Sequence, residues 1–299
     1  MPSWQSYIVH PVLRMFVKRK LEKAFTPFEA RAAFGNHPPQ PIRGVSFSAA
    51  TQNVPGEWAQ GEAPHTGVML YLHGGGYFAC SPATHRPITG SFARQGFMVF
   101  APAYRLAPEN PFPAAVDDAL ASYRALLGAY GAERLVVAGD SAGGGLALAA
   151  LLAAREAGLA MPSALVLFSP WTDLAATGAS IQANAARESM LVGGRMQEVA
   201  DLYLQGADPR TPLASPLYGD LAGLPPTLIQ VSEREILLDD SRRVAEKMNA
   251  AGGRAELSMW PNLPHAWQIS QAFLPEARQA LAQAADFAKS TLASGAVPA

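Results

Sequence analysis

The chain has 299 residues, with 23 Lys+Arg against 24 Asp+Glu and a formal net charge of −1. Charged residues make up 16% and the apolar set AVILMFWYC 49%, a globular composition long enough to bury one large core. The basic run Lys18-Arg19-Lys20 is too short to track a phosphate backbone, so nucleic acid is not expected as a partner; a lone cysteine, Cys80, excludes an intramolecular disulfide and a cysteine-based zinc site.

Residues 1–40 are amphipathic and read as helical, with Leu13, Phe16, Val17 and Leu21 near one face and the breaker cluster Asn36-His-Pro-Pro39 at the end. The stretch has no uninterrupted apolar run of signal-peptide length and no positive charge ahead of its first apolar residues. Nowhere do 18 uncharged apolar residues run together. A cytoplasmic protein with no membrane partner is therefore expected.

From residue 68 onward, apolar runs of strand length recur at 68–72, 97–100, 135–138, 165–168, 228–231 and 257–260. Most are continuous rather than alternating, as in strands covered on both faces. Helical patterns lie between or after them at 114–128, 143–158, 239–252 and 275–292. This alternation specifies one α/β domain around a mostly parallel sheet.

The motifs fall at the ends of those strands. After 68–72 comes His73-Gly74-Gly75-Gly76-Tyr77, where three glycines let backbone N–H groups approach a reacting carbonyl unobstructed. Neither G-x-x-x-x-G-K-[ST] nor G-x-G-x-x-G is present, which weighs against a phosphate cradle. After 135–138, Gly139-Asp-Ser141-Ala-Gly143 matches G-x-S-x-G between a strand and a helix. In that context it is a nucleophile elbow: Ser141 is the candidate nucleophile, and the N–H of Ala142 joins the oxyanion donors.

Residues 174–223 separate two strands by more than a crossover requires. They contain a predicted helix at 195–205 and a proline-rich return, and insertions of this length are commonly lids or caps. After 228–231, Glu233, Glu235, Asp239 and Asp240 compete for the role of triad acid. Helix capping accounts for at least one of the two aspartates, and Glu233 is explained equally well as a solvated residue. Of six histidines only His265 follows Ser141, in the Pro-bounded loop past 257–260. The order Ser, acid, His makes it the candidate base.

His73-Gly-Gly-Gly-Tyr77, Tyr104-Arg-Leu-Ala-Pro-Glu109, Gly139-Asp-Ser-Ala-Gly-Gly144, Ser169-Pro-Trp-Thr-Asp173, Ser215-Pro-Leu-Tyr218 and Leu263-Pro-His265, in this order, resemble the hormone-sensitive-lipase-like (family IV) esterases of the α/β-hydrolase superfamily. The resemblance implies an eight-stranded α/β-hydrolase sheet in a single domain over 1–299, with cap elements from 1–40 and 174–223. It implies a serine carboxylesterase for short- to medium-chain acyl esters, with a small-molecule ester as partner and neither cofactor nor metal. The oxyanion donors map to Gly75 and Gly76, beside Ala142. The acid maps to Glu235 through Glu235-Ile-Leu237-Leu-Asp239, where many relatives carry aspartate. The implied triad is Ser141, Glu235 and His265.

Around that triad, Tyr104–Glu109 is expected to brace the oxyanion loop, Asp140 to act as a scaffold hydrogen-bonder, and Cys80 to be a small buried thiol. Trp4, Phe16, Phe28, Met190, Leu191 and Met196 are expected to roof the acyl pocket. The strand 255–260, with Glu256 as its one charge, reads as a sheet edge suited to a homodimer, an arrangement common among relatives. Two other functions are compatible with the resemblance: an arylacetamide-deacetylase-like amidase, and a ligand receptor without turnover. Plant gibberellin receptors are of the latter kind and lack the triad histidine, whereas His265 is present here.

Overall fold

The computed structural model describes residues 2–24, 26–34, 42–50 and 54–292; the breaker cluster at 36–39 lies outside them. Its eight-stranded sheet has the spatial order β1 (Val45–Ala50), β2 (Gly56–Gly61), β4 (Phe97–Pro102), β3 (Gly67–Leu72), β5 (Leu135–Asp140), β6 (Ala164–Phe168), β7 (Thr227–Ser232), β8 (Ala255–Trp260). β1 and β2 are antiparallel to their neighbours, and every pairing from β4 to β8 is parallel.

β3 to β7 are buried along their whole length, which is why they read as continuous apolar runs. β1 and β2, with the sequences VSFSAA and GEWAQG, carry no such run and were not expected as strands. They lie at one margin and are only half buried, so they stay mixed in polarity. β8 forms the other margin, in agreement with the edge expected at 255–260.

Alternate side chains of each central strand feed two core layers. Leu70, Leu72, Val137, Leu165 and Ile229 face α5 (Ala114–Tyr130), α6 (Ala142–Glu156) and α9 (Leu238–Ala250). Met69, Tyr71, Val136, Val166 and Phe168 face α4 (Arg86–Arg94) and α10 (Pro275–Thr291). Burial of this apolar area, worth about 25 cal/mol per Å2, holds the sheet between its helices. It also fixes the carboxyl ends of β3, β5, β6, β7 and β8 side by side, where the loops carrying the motifs emerge.

The N-terminal segment folds as α1 (Trp4–Leu13), a π-helical turn Arg14–Lys18, α2 (Arg19–Lys23) and α3 (Pro27–Ala33). Thr26 and Glu29 close a capping box at the start of α3. Within 174–223, the short α7 (Ser180–Ala183) precedes α8 (Met196–Leu204), which matches the helix expected at 195–205.

Candidate active site

Ser141 sits between the end of β5 and the start of α6 with φ 53° and ψ −125°, a backbone state rare for a residue with a side chain. Two hydrogen bonds clamp it there: Ser141 N–H donates to Phe168 O at 2.8 Å, and Trp171 N–H donates to Ser141 O at 2.9 Å. A Cβ on Gly143 would stand 2.1 Å from Leu72 O, so no larger residue fits that side of the elbow. The G-x-S-x-G spacing is thus a steric requirement of the turn.

Above the elbow, Ser141 Oγ and His265 Nε2 are 2.8 Å apart, and His265 Nδ1 lies 2.6 Å from Glu235 Oε2. A carboxylate only accepts, so the imidazole carries its proton on Nδ1 and offers Nε2 as the acceptor for the serine proton. Glu235 is held in turn: its Oε1 accepts from Ser169 Oγ at 2.8 Å and from Ser232 N–H at 2.7 Å. All three side chains are buried. Burial alone would lower the pKa of His265, but the hydrogen bond and charge of Glu235 outweigh it and raise that pKa above the ordinary histidine value. Burial also raises the Glu235 carboxyl, against the bonds from His265 and Ser232.

The competing acids are elsewhere. Glu233 is exposed. Neither aspartate caps α9, contrary to expectation: Asp239 Oδ2 accepts from Ser180 N–H at 2.8 Å. Asp240 Oδ2 accepts from the N–H groups of Thr172 and Asp173 at 2.7 and 2.9 Å. Both lie inside the first helical turn, which aims them across to the 172–180 loop rather than back along the helix axis.

The glycine loop takes positive φ at Gly75 (118°) and Gly76 (61°). Among the described residues, neither N–H is used in a hydrogen bond, and both glycines share a pocket wall with Ser141 and His265. Behind them, Asp140 accepts from Gly74 N–H at 3.0 Å and Tyr71 OH at 2.7 Å, with His85 Nε2 at 3.3 Å. Burial would raise the Asp140 carboxyl, but His85 and Tyr71 hold it below its ordinary value. Burial lowers His73 to about 3, so its ring stays neutral against Tyr104, whose OH donates to His73 O at 2.7 Å. In the Tyr104–Glu109 segment, Ala107 N–H donates to Tyr77 O at 2.9 Å and Glu109 pairs with Arg31 at 2.5 Å. Cys80 is half-buried in the pocket wall rather than buried as expected, and desolvation there pushes its thiol up to about 12.

The pocket over Ser141 is mostly apolar. Leu21, Pro27 and Ala30 line it from the N-terminal helices, and Met190, Leu191, Met196 and Val199 from the 174–223 segment. Trp4, Phe16 and Phe28 are not in its wall, which corrects the expectation for those three. All three are exposed, with Phe28 against the Arg31 guanidinium at 5.1 Å and Trp4 edge-on to Phe273 at 6.0 Å.

Several residues that support the site were not recognised from sequence. Asn184 Nδ2 donates to Glu235 O at 2.8 Å, and Glu188 Oε2 accepts from Ile236 N–H at 3.3 Å, so the 174–223 segment grips the acid loop. His10 of α1 spans Ser189 Oγ (2.9 Å) and Asn262 O (3.2 Å), tying that segment to the His265 loop. Only Ser169 had a sequence signal, as the first residue of Ser169-Pro-Trp-Thr-Asp173.

Comparison with known proteins points the same way. A family model described as the α/β-hydrolase fold matches residues 69–269. The chain is 44% identical over 271 residues to an acetyl-hydrolase of Streptomyces hygroscopicus, covering 89% of this chain and 88% of that one. It is 34% identical over 297 residues to an esterase of Acinetobacter venetianus, covering 96% and 97%. A crystal structure of an esterase from the bacterial hormone-sensitive lipase family superposes with a TM-score of 0.91 at 41% identity, covering 98% of this chain and all of that one.

Proposed function

The chain belongs to the hormone-sensitive-lipase-like esterases of the α/β-hydrolase family, and from that premise we propose that it is a serine carboxylesterase for short- to medium-chain acyl esters. The observation that carries the reading is the buried relay from Ser141 Oγ through His265 to Glu235, at 2.8 and 2.6 Å. His265 Nε2 takes the serine proton as Oγ attacks the ester carbonyl, and Glu235 stabilises the imidazolium that forms. The N–H groups of Gly75, Gly76 and Ala142 stabilise the tetrahedral oxyanion, a contribution of about 3 kcal/mol per donor. The imidazolium then protonates the departing alcohol. Water, deprotonated by His265, hydrolyses the acyl-enzyme over the same donors.

Residues 1–40 and 174–223 act as a cap in this reading, with Leu21, Met190 and Met196 closing the apolar pocket on the acyl chain. The test is the rate on p-nitrophenyl esters from C2 to C16 beside the matching anilides. Highest kcat/KM at C2 to C6, with anilides slower by orders of magnitude, is expected. Anilide turnover equal to or above ester turnover would make the protein an amidase of the arylacetamide-deacetylase kind. No turnover of either series would favour the non-catalytic receptor.

A homodimer through β8 is part of the same proposal. This edge carries Glu256, paired with Arg254 at 2.5 Å, and an exposed Met259, so its outer backbone groups are lightly guarded. A dimeric mass by light scattering at micromolar concentration is expected, and a monomeric mass would refute it.

A further inference from the structure

Trp4, Tyr7, Ile8, Val12, Met15 and Phe16 are each between 46% and 64% exposed, and they make up six of the ten exposed large hydrophobics among the described residues. They recur three and four residues apart along α1 and the π-helical turn, which sets them on one side of the segment. Opposite them Ser6, Val9 and His10 are buried against the body of the protein. Trp4 extends the apolar face onto exposed Phe273. None of these side chains lines the pocket, so the active site does not account for them. Leaving so much apolar surface in water is costly unless something covers it.

The charge around this face says what does. The first 24 residues carry Arg14, Lys18, Arg19, Lys20 and Lys23 against the single acid Glu22, which leaves 18 basic against 23 acidic residues in the rest of the chain. Arg19, Lys20 and Lys23 are exposed at the end of the apolar stripe, with Arg19 and Lys23 continuing its four-residue spacing. Arg14 and Lys18, in the same segment, donate to Ala186 O and Glu188 O.

We propose that α1, the π-helical turn and α2 form a docking face for an anionic lipid surface, with the apolar stripe entering the acyl boundary and Arg19, Lys20 and Lys23 on the headgroups. An amphipathic helix with a basic flank binds such a surface in plane, by apolar burial together with headgroup attraction. A second copy of this chain fits less well, since face-to-face pairing would appose two like-charged segments. Leu21, in α2 between Lys20 and Lys23, and the exposed Ile269 belong to the pocket wall, so docking sets the pocket beside the lipid phase, where apolar esters concentrate.

The proposal goes beyond the esterase reading, and its readout needs no turnover. The full chain is sedimented with phosphatidylcholine vesicles with and without phosphatidylglycerol. Binding that requires phosphatidylglycerol and falls with added salt is expected. Two multiple variants, Ile8→Gln with Phe16→Gln, and Arg19→Glu with Lys20→Glu and Lys23→Glu, should each lower binding about tenfold or more. Circular dichroism and hydrolysis of soluble p-nitrophenyl acetate should be unchanged in both. No binding, or equal binding to both vesicle types, overturns the proposal. So does a wild-type dimer that the Ile8/Phe16 variant alone converts to monomer, which would make a second copy the occupant.

Discussion

The carboxylate of Asp140 accepts a hydrogen bond from the N–H of Gly74, 66 residues earlier, at 3.0 Å. The residue beside the proposed nucleophile therefore holds the start of the loop proposed to bind the oxyanion, and one side chain sets the two halves of the site against each other. Asp140→Ala leaves Gly74 N–H and Tyr71 OH buried without an acceptor, a loss of about 2–4 kcal/mol in stability. It should also lower kcat by roughly 10- to 100-fold with little change in KM, because displaced oxyanion donors weaken only the transition state. Asp140→Asn, which keeps an acceptor, should recover most of the stability. Urea melts and steady-state kinetics of both variants check this; equal kcat in Asp140→Ala and wild type would refute it.

Ser141→Ala and His265→Ala should each reduce kcat by on the order of 10^3-fold or more and leave the fold intact. Glu235→Gln should cost a similar factor by favouring the wrong imidazole tautomer. Asp239→Asn should act on stability alone, by about 1 kcal/mol, through its bond to Ser180 N–H. Kinetics and melts on the four variants separate the roles. A large kcat loss in Asp239→Asn beside near-native Glu235→Gln would move the acid to Asp239.

The proposed base, His265, must be neutral to act, so kcat/KM should fall on acidification. The inflection should lie above the ordinary histidine value, since the hydrogen bond and charge of Glu235 raise the His265 pKa against its burial. Glu235→Gln removes the raising partner and leaves the burial, so residual activity should persist to lower pH. A pH profile of both proteins tests this; a flat profile from pH 5 to 8 in the wild type would exclude a histidine base.

Asp240 supplies a second pH signature, in stability. Burial raises its carboxyl to about 7, with the neighbouring Asp173 adding to the shift and the Thr172 and Asp173 N–H groups opposing it. Between the unfolded value near 4 and this one, the folded chain holds a proton that the unfolded chain has lost. Stability from this group is therefore lost as pH rises from 4 to 7, by on the order of 4 kcal/mol. Asp240→Asn removes the titration, so the variant should gain on wild type in urea midpoint between pH 5 and 8. A constant difference across that range would show that Asp240 does not titrate there.

Six strands, the elbow at Ser141 and the loop at His73–Tyr77 were legible in the sequence because each reflects a local condition. A strand covered on both faces must be apolar throughout, and an elbow whose Gly143 approaches Leu72 O within the reach of a Cβ must be glycine. His265, the proposed base, was singled out by chain order alone. β1 and β2 left no such trace, since half-buried margin strands tolerate mixed residues.

Direction and burial were the part that the sequence by itself did not determine. Glu233, Glu235, Asp239 and Asp240 lie within eight positions of one another, and spacing could not say which carboxylate meets His265; the family pattern had to choose. The fold buries Glu235 against Ser169, Ser232 and His265 while it turns Asp239 and Asp240 toward the 172–180 loop. In the same way, Met190 and Met196 line the pocket whereas Trp4 and Phe16 stand in solvent, though all four are large and apolar. Local sterics are written in neighbouring residues. Which side chain faces which is decided by contacts between segments up to 273 positions apart, such as Ser3 on Glu276 and His10 on Asn262, and those exist only once the core has packed.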